Sequence, residues 1–145
     1  MLAKKTVLLS FSLMLGGLPV LYAQDAAMAG GSGLFTVEQA HRGETLYQKQ
    51  CVACHGAALD GAGPYPPLSG DEFIGKYQGQ PITNLYDMIQ KLMPATQPGT
   101  LTRPQAADLL SYILSFNKFP AGKTELPSDD DSLKKIKLPK PAPKA

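Results

Sequence analysis

Only two cysteines occur in the 145 residues, Cys51 and Cys54, and they stand beside a histidine in "CVACHG", residues 51–56. Three chemistries are open to such a trio. A C-x-x-C pair can cycle between dithiol and disulfide. It can supply half of a zinc site. With His55 adjacent it also reads C-x-x-C-H, in which both sulfurs form thioethers with haem and the histidine is held under the iron.

The first two readings lack partners. A thioredoxin-like pair follows a strand in a parallel sheet, and no run in this chain alternates polar and apolar residues for long enough to form strands. A zinc site takes four ligands, yet the chain has only His41 and His55, and His41 precedes the pair. The third reading uses every residue. The two-residue gap lets both sulfurs reach one edge of a macrocycle, and His55 is left with little freedom except axial coordination. One covalently bound haem c is the expected cofactor.

Iron carried by His55 has a second axial position. Met93 lies in "KLMPATQPG", where Pro94 pushes the preceding residue toward extended backbone and frees its thioether to leave the helix. Met88 falls at the edge of an apolar stripe and reads as core filling, and His41 sits early in a helix beside Arg42. Met93 is therefore the expected ligand. A thioether favours ferrous iron and raises the potential, and a filled site leaves no place for oxygen or peroxide. Filled, the site passes electrons; vacant, it would belong to a gas-binding sensor or a peroxidase-like enzyme.

Three helical patterns surround these residues. The first opens at Thr36, with Gln39 at the capping-box spacing, and carries Val37, Ala40, Leu46 and Tyr47 to just before Cys51. The second covers Thr83 to Leu92, with Leu85, Ile89 and Leu92 on one face, and Pro94 stops it. In the third, Thr102 and Gln105 repeat the cap, Pro104 sits in the first turn, and Ala106, Leu109, Leu110, Ile113 and Leu114 recur at helical spacing to Phe116 or Asn117.

Between the first two lies "GAALDGAGPYPPLSGDEFIGKY", read as one long ordered loop. A loop of that length in a small domain has something to wrap around. Three short helices make a poor core, and a porphyrin supplies the missing apolar area at about 25 cal/mol per Å². The protein without haem is therefore expected to be largely unfolded.

The chain ends set the organisation. "MLAKKTVLLSFSLMLGGLPVLYAQ" puts Lys4 and Lys5 ahead of an apolar run and reads as a secretory signal, residues 1–23, with cleavage after Ala29 as the alternative. Residues 24–33, with "GGSG", read as a flexible linker, 34–126 as the folded domain, and 127–145 as a disordered Lys/Pro-rich tail. The expected location is the periplasm. Of 14 Lys and Arg against 12 Asp and Glu, two lie in the signal, so the mature chain is near neutral. This excludes a nucleic-acid binder, which needs a dense basic footprint. Lys134, Lys135 and Lys137 allow at most a peripheral contact with an acidic lipid surface.

Over residues 35 to 126, "CVACHG", "GPYPPL", "LMP" and the helices flanking them resemble class I c-type cytochromes. The resemblance implies an all-α fold around one haem. In that family a Gly and an aromatic on the first helix cross a Leu and an aromatic on the last, and Gly43, Tyr47, Leu109 and Tyr112 match. It also implies a proline whose carbonyl accepts the ring proton of the proximal histidine. Pro66, two before Leu68, matches best, with Pro67 the alternative.

The segment "MPATQPGTLTRPQAADLLSYILSFNKFPAGKTELP" is similar to the cytochrome domain of quinohaemoprotein alcohol dehydrogenases and to small cytochromes that accept electrons from quinoprotein dehydrogenases. In those proteins the methionine of "MP" is the axial ligand, which carries onto Met93. The function implied is single-electron transfer between a dehydrogenase donor and an oxidase or cytochrome acceptor. The alternatives are a subunit fixed in a larger redox complex and a five-coordinate sensor.

Overall fold

The computed structural model describes residues 33–139, so the signal and residues 24–32 of the linker lie outside the described residues. It contains six helices: α1 (Val37–Gln50), α2 (Val52–His55), α3 (Gly70–Tyr77), α4 (Thr83–Leu92), α5 (Arg103–Phe116) and α6 (Asp130–Leu133). Among the described residues the only β pairings are two isolated bridges, and no helix is long and apolar enough to cross a membrane. The fold is all-α, as expected, with more helices than the three main ones read from the sequence.

α5 is the central element. Its first turn is closed by a full capping box, in which Thr102 Oγ1 accepts from the Gln105 amide and Gln105 Oε1 from the Thr102 amide. Ala106, Ala107, Leu109, Leu110, Ile113 and Leu114 are all buried, so α5 packs on more than one side. α1 lies across it. A Cβ on Gly43 would overlap the Asp108 carbonyl and come 2.9 Å from Tyr112 Cβ, so close approach of the two helices requires glycine there. Tyr47 and Tyr112 then meet as tilted rings with centroids 5.2 Å apart, and Arg42 grips Asp108 through two hydrogen bonds of 3.1 and 2.9 Å and Glu125 through a third of 2.9 Å.

Four expectations change. The capping box at α1 forms only in part: Thr36 Oγ1 accepts from the Gln39 amide at 3.1 Å. The Gln39 side chain is instead buried and makes paired bonds with the Leu126 backbone at 3.0 and 2.7 Å. The long loop is interrupted by α3, because Phe73 and Tyr77, spaced i, i+4, bury the same helix face. Gly33, assigned to the linker, packs so tightly on residues 120–122 that a Cβ would meet their backbone.

The fourth change concerns the tail, expected to be disordered over 127–145; its described part, 127–139, is folded onto the domain. Leu133 and Leu138 are buried in the core. The segment pairs with residues 79–82 through Gly79 N–H to Leu138 O, Leu138 N–H to Gln80 O and Ile82 N–H to Ile136 O. Arg103 holds it from α5, donating to Ser128 O and Asp130. Composition hid this, because the Lys and Pro content suggests disorder, while the leucines and Ile136 carry the packing.

Candidate functional site

α1 ends at Cys51, and the one-turn helix α2 carries Cys54 and His55 inward. Its end is fixed by Gly56, at a positive φ of 74° that suits glycine, and by Tyr47, whose hydroxyl donates to the Gly56 carbonyl at 2.7 Å. Burial pushes the Tyr47 phenol well above its ordinary range, so it remains a donor at any physiological pH.

Cys51, Cys54 and His55 open into a cavity of about 250 Å³ whose walls are mainly apolar: Pro66, Leu68, Phe73, Tyr77, Leu85, Ile89, Leu109 and Ile113, with Met88 and Met93. His55 is buried, and its Nδ1 lies 3.1 Å from the Pro66 carbonyl. A proline carbonyl can only accept, so Nδ1 carries the proton and the Nε2 lone pair is the atom left for a ligand. Pro66, not Pro67, supplies that carbonyl, and Leu68 lines the same cavity.

Met93 terminates α4 in extended backbone, φ −114° and ψ 149°, the conformation that a following proline favours, and its side chain lines the same cavity. Met88, expected as core filling, is partly exposed and lines the cavity as well; the Tyr77 hydroxyl donates to its Sδ at 3.7 Å. His41 is on the outer face of α1, paired with Glu44 at 3.4 Å, and does not line the cavity.

The surroundings of Cys51 are not those of an activated redox thiol. Burial, reinforced by Cys54, pushes the Cys51 thiol up to about 11, whereas a nucleophilic C-x-x-C thiol is lowered. A side-chain hydrogen bond with Cys54 is the main cause raising the Tyr65 phenol, and both residues line the cavity. Among the described residues no three His, Cys, Asp or Glu converge to hold a metal ion by themselves. An apolar slot with two thiols at one edge, an imidazole nitrogen on one wall and thioethers on the lining fits a flat apolar macrocycle that brings its own metal.

Two contributors carry no sequence signal that pattern reading would pick up. Tyr77 is seen only once α3 is recognised. Asn117, read as a helix end, is buried and bonds to Leu68 O, Ile113 O and the Gly70 amide at 2.9, 2.8 and 3.1 Å.

Comparison with known proteins agrees with this geometry. Residues 38–113 match the family model described as cytochrome c oxidase, cbb3-type, subunit III. A thiosulfate dehydrogenase from Psychrobacter arcticus is 31% identical over 94 residues, 57% of this chain and 29% of the relative. A chain in the crystal structure of the sulfane dehydrogenase SoxCD from Paracoccus pantotrophus shares the fold with a TM-score of 0.57 at 22% identity, over 69% of this chain and 53% of that one. The chain thus spans under a third of the first relative and about half of the second.

Proposed function

Because the chain belongs to the family described as cytochrome c oxidase, cbb3-type, subunit III, an electron-transferring cytochrome c family, we propose that it is a periplasmic carrier of single electrons that is not itself a catalyst. Cys51 and Cys54 would hold one haem c through thioethers, and His55 and Met93 would be the protein ligands offered to its iron. The haem, once bound, supplies a one-electron ferric/ferrous couple.

The protein's own residues set the rest. Pro66 keeps the His55 tautomer and ring orientation. Met93, on the cavity lining, would take the position that a gas or peroxide needs, and its thioether would favour the reduced state. Phe73, Leu85, Leu109 and Ile113 exclude water, which limits reorganisation when charge changes. The observation that carries this reading is the placement of His55, locked by Pro66 at 3.1 Å, and Met93 on one apolar cavity.

The donor is a dehydrogenase and the acceptor an oxidase or another cytochrome. Quinoprotein alcohol dehydrogenases are one donor class, suggested by the "LMP" segment; dehydrogenases of inorganic sulfur compounds are the other, favoured by the names of the two relatives. Those relatives carry this type of domain within longer chains, which supports a second arrangement as a cytochrome subunit docked in a dehydrogenase complex. One experiment tests the core reading: the reduced holoprotein is exposed to carbon monoxide at neutral pH. An unchanged spectrum is expected; rapid binding would sink the carrier in favour of a sensor. Reduction by each dehydrogenase class with its substrate then separates the donors.

A further inference from the structure

The segment that faces His55 is built to transmit position. Tyr65 and Pro66 each precede a proline, and residues 66 and 67 are both proline. Two φ angles are thereby locked and the two preceding ψ angles restricted, so residues 65–67 form a stiff rod that ends at Leu68. Holding Leu68 narrows the room in which the Pro66 carbonyl, two residues before it, can move.

Two sets of bonds hold that end. On one side the turn after His55 does so: the Leu68 amide donates to the Leu59 carbonyl at 2.8 Å, and Ser69 Oγ bonds the Ala58 and Leu59 carbonyls at 3.3 and 3.1 Å. That turn follows directly on His55, so it holds Leu68 to the histidine's own stretch of chain and makes no tie to α5. On the other side stands one residue of the helix end. Asn117 Nδ2 donates to the Leu68 carbonyl at 2.9 Å and to Ile113 O at 2.8 Å, while its Oδ1 accepts from the Gly70 amide at 3.1 Å. The bonds that tie Leu68 and Gly70 to α5 both run through this single buried amide.

We infer that Asn117 is a positioning residue for the axial histidine: it clamps the Pro66–Leu68 segment to α5 and, together with the turn after His55, keeps the Pro66 carbonyl on His55 Nδ1. This rests on the reading of His55 as a haem ligand. The consequence is electronic. A proximal imidazole whose Nδ1–H is hydrogen-bonded is a stronger donor to iron and favours the ferric state, so Asn117, although it does not touch the cavity, lowers the reduction potential and protects one particular proton.

Asn117 also caps α5, and the test must separate the two roles. Lys118, the next residue, has a positive φ of 66°, so Asn117→Ala combined with Lys118→Gly relieves the helix end without restoring the clamp. In the reduced holoproteins, exchange of the His55 Nδ1 proton is followed by NMR beside the amides of α1 and α5, and the midpoint potential is measured.

In both Asn117→Ala and the double variant, exchange at Nδ1 is expected to accelerate at least tenfold and the potential to shift upward, while the helix amides of the double variant stay protected. Recovery of wild-type Nδ1 exchange and potential in the double variant would overturn the inference, leaving a cap only. Should the single variant not fold, Asn117→Ser, which is too short to bridge Leu68 and Gly70 together, takes its place with the same readouts. A wild-type protein lacking a six-coordinate low-spin spectrum would instead defeat the haem-ligand reading itself, before any variant is compared.

Discussion

Gly43 of α1 lies directly beneath the Asp108 carbonyl of α5, with no room between them for a side chain. The crossing that this contact permits brings Tyr47 onto Tyr112 and sets the end of α1, and so the start of the cysteine segment, in its place.

Gly43→Ala follows from that contact. Alanine gains about 1 kcal/mol of helix propensity but forces two backbones apart, an overpacking penalty of about 3 kcal/mol at the upper end of its range. A net loss of about 2 kcal/mol lowers the melting temperature by roughly 8–16 °C in a domain of this size. Calorimetry of the holoprotein measures it, and an unchanged or raised Tm would show that the helices can separate without cost.

The folded C-terminal segment predicts a second outcome. Leu133 has no solvent exposure, so Leu133→Ala removes buried methyl groups and leaves a cavity, costing about 2–4 kcal/mol. Truncation after residue 126 costs at least as much, since Leu138 goes with it. Chemical denaturation of the two variants checks both, and equality with the full chain would mean that the segment only rests on the surface.

That segment is also sensitive to acid. The Arg103 guanidinium, bonded to Asp130, holds the Asp130 carboxyl below the usual carboxylate range, and the Ser132 backbone amide does the same for Asp129. A carboxyl lowered in the folded state stabilises it fully above the unfolded value, near 3.8, and loses that contribution as pH falls through the folded value. Attachment of residues 127–139 is therefore expected to be independent of pH from neutral to mildly acidic and to loosen below about pH 4. Limited proteolysis across this range should show it, with Arg103→Gln already loose at neutral pH. Both carboxyls are exposed, so salt should weaken the contact.

Met93 carries the coordination prediction. Met93→Ala opens one axial position, and the ferrous variant is expected to bind carbon monoxide, lose the sulfur-to-iron charge-transfer band and show a lower potential. Met88 lines the same cavity, so the double variant Met93→Ala with Met88→Leu tests whether any remaining low-spin signal comes from that second thioether. Retention of the wild-type spectrum in both would exclude Met93 as the ligand.

Loss of the cofactor should be felt throughout the fold. With Cys51→Ser and Cys54→Ser together, the apolar walls formed by Phe73, Leu85, Leu109 and Ile113 face water, and far-ultraviolet circular dichroism is expected to show much reduced helix.

The sequence by itself pointed to the candidate chemistry and fixed its local supports. The C-x-x-C-H spacing, the thioether before Pro94, the capping box at Thr102 and the helical spacing of Ala106 to Leu114 are short-range signals, each made within a few residues, and all are where the pattern put them. What composition concealed was α3 within a Gly- and Pro-rich stretch, and the attachment of residues 127–139 beneath a run of lysines and prolines.

Only the tertiary structure decided which of Pro66 and Pro67 meets His55, that Met88 joins Met93 on the cavity, and that Asn117 reaches Leu68 across 49 residues. These depend on how separate elements pack, most plainly in the contact of Asn117 with Leu68. Nothing in the local periodicity of either partner records such a contact, because it exists only when packed helices bring both sides to hydrogen-bonding distance.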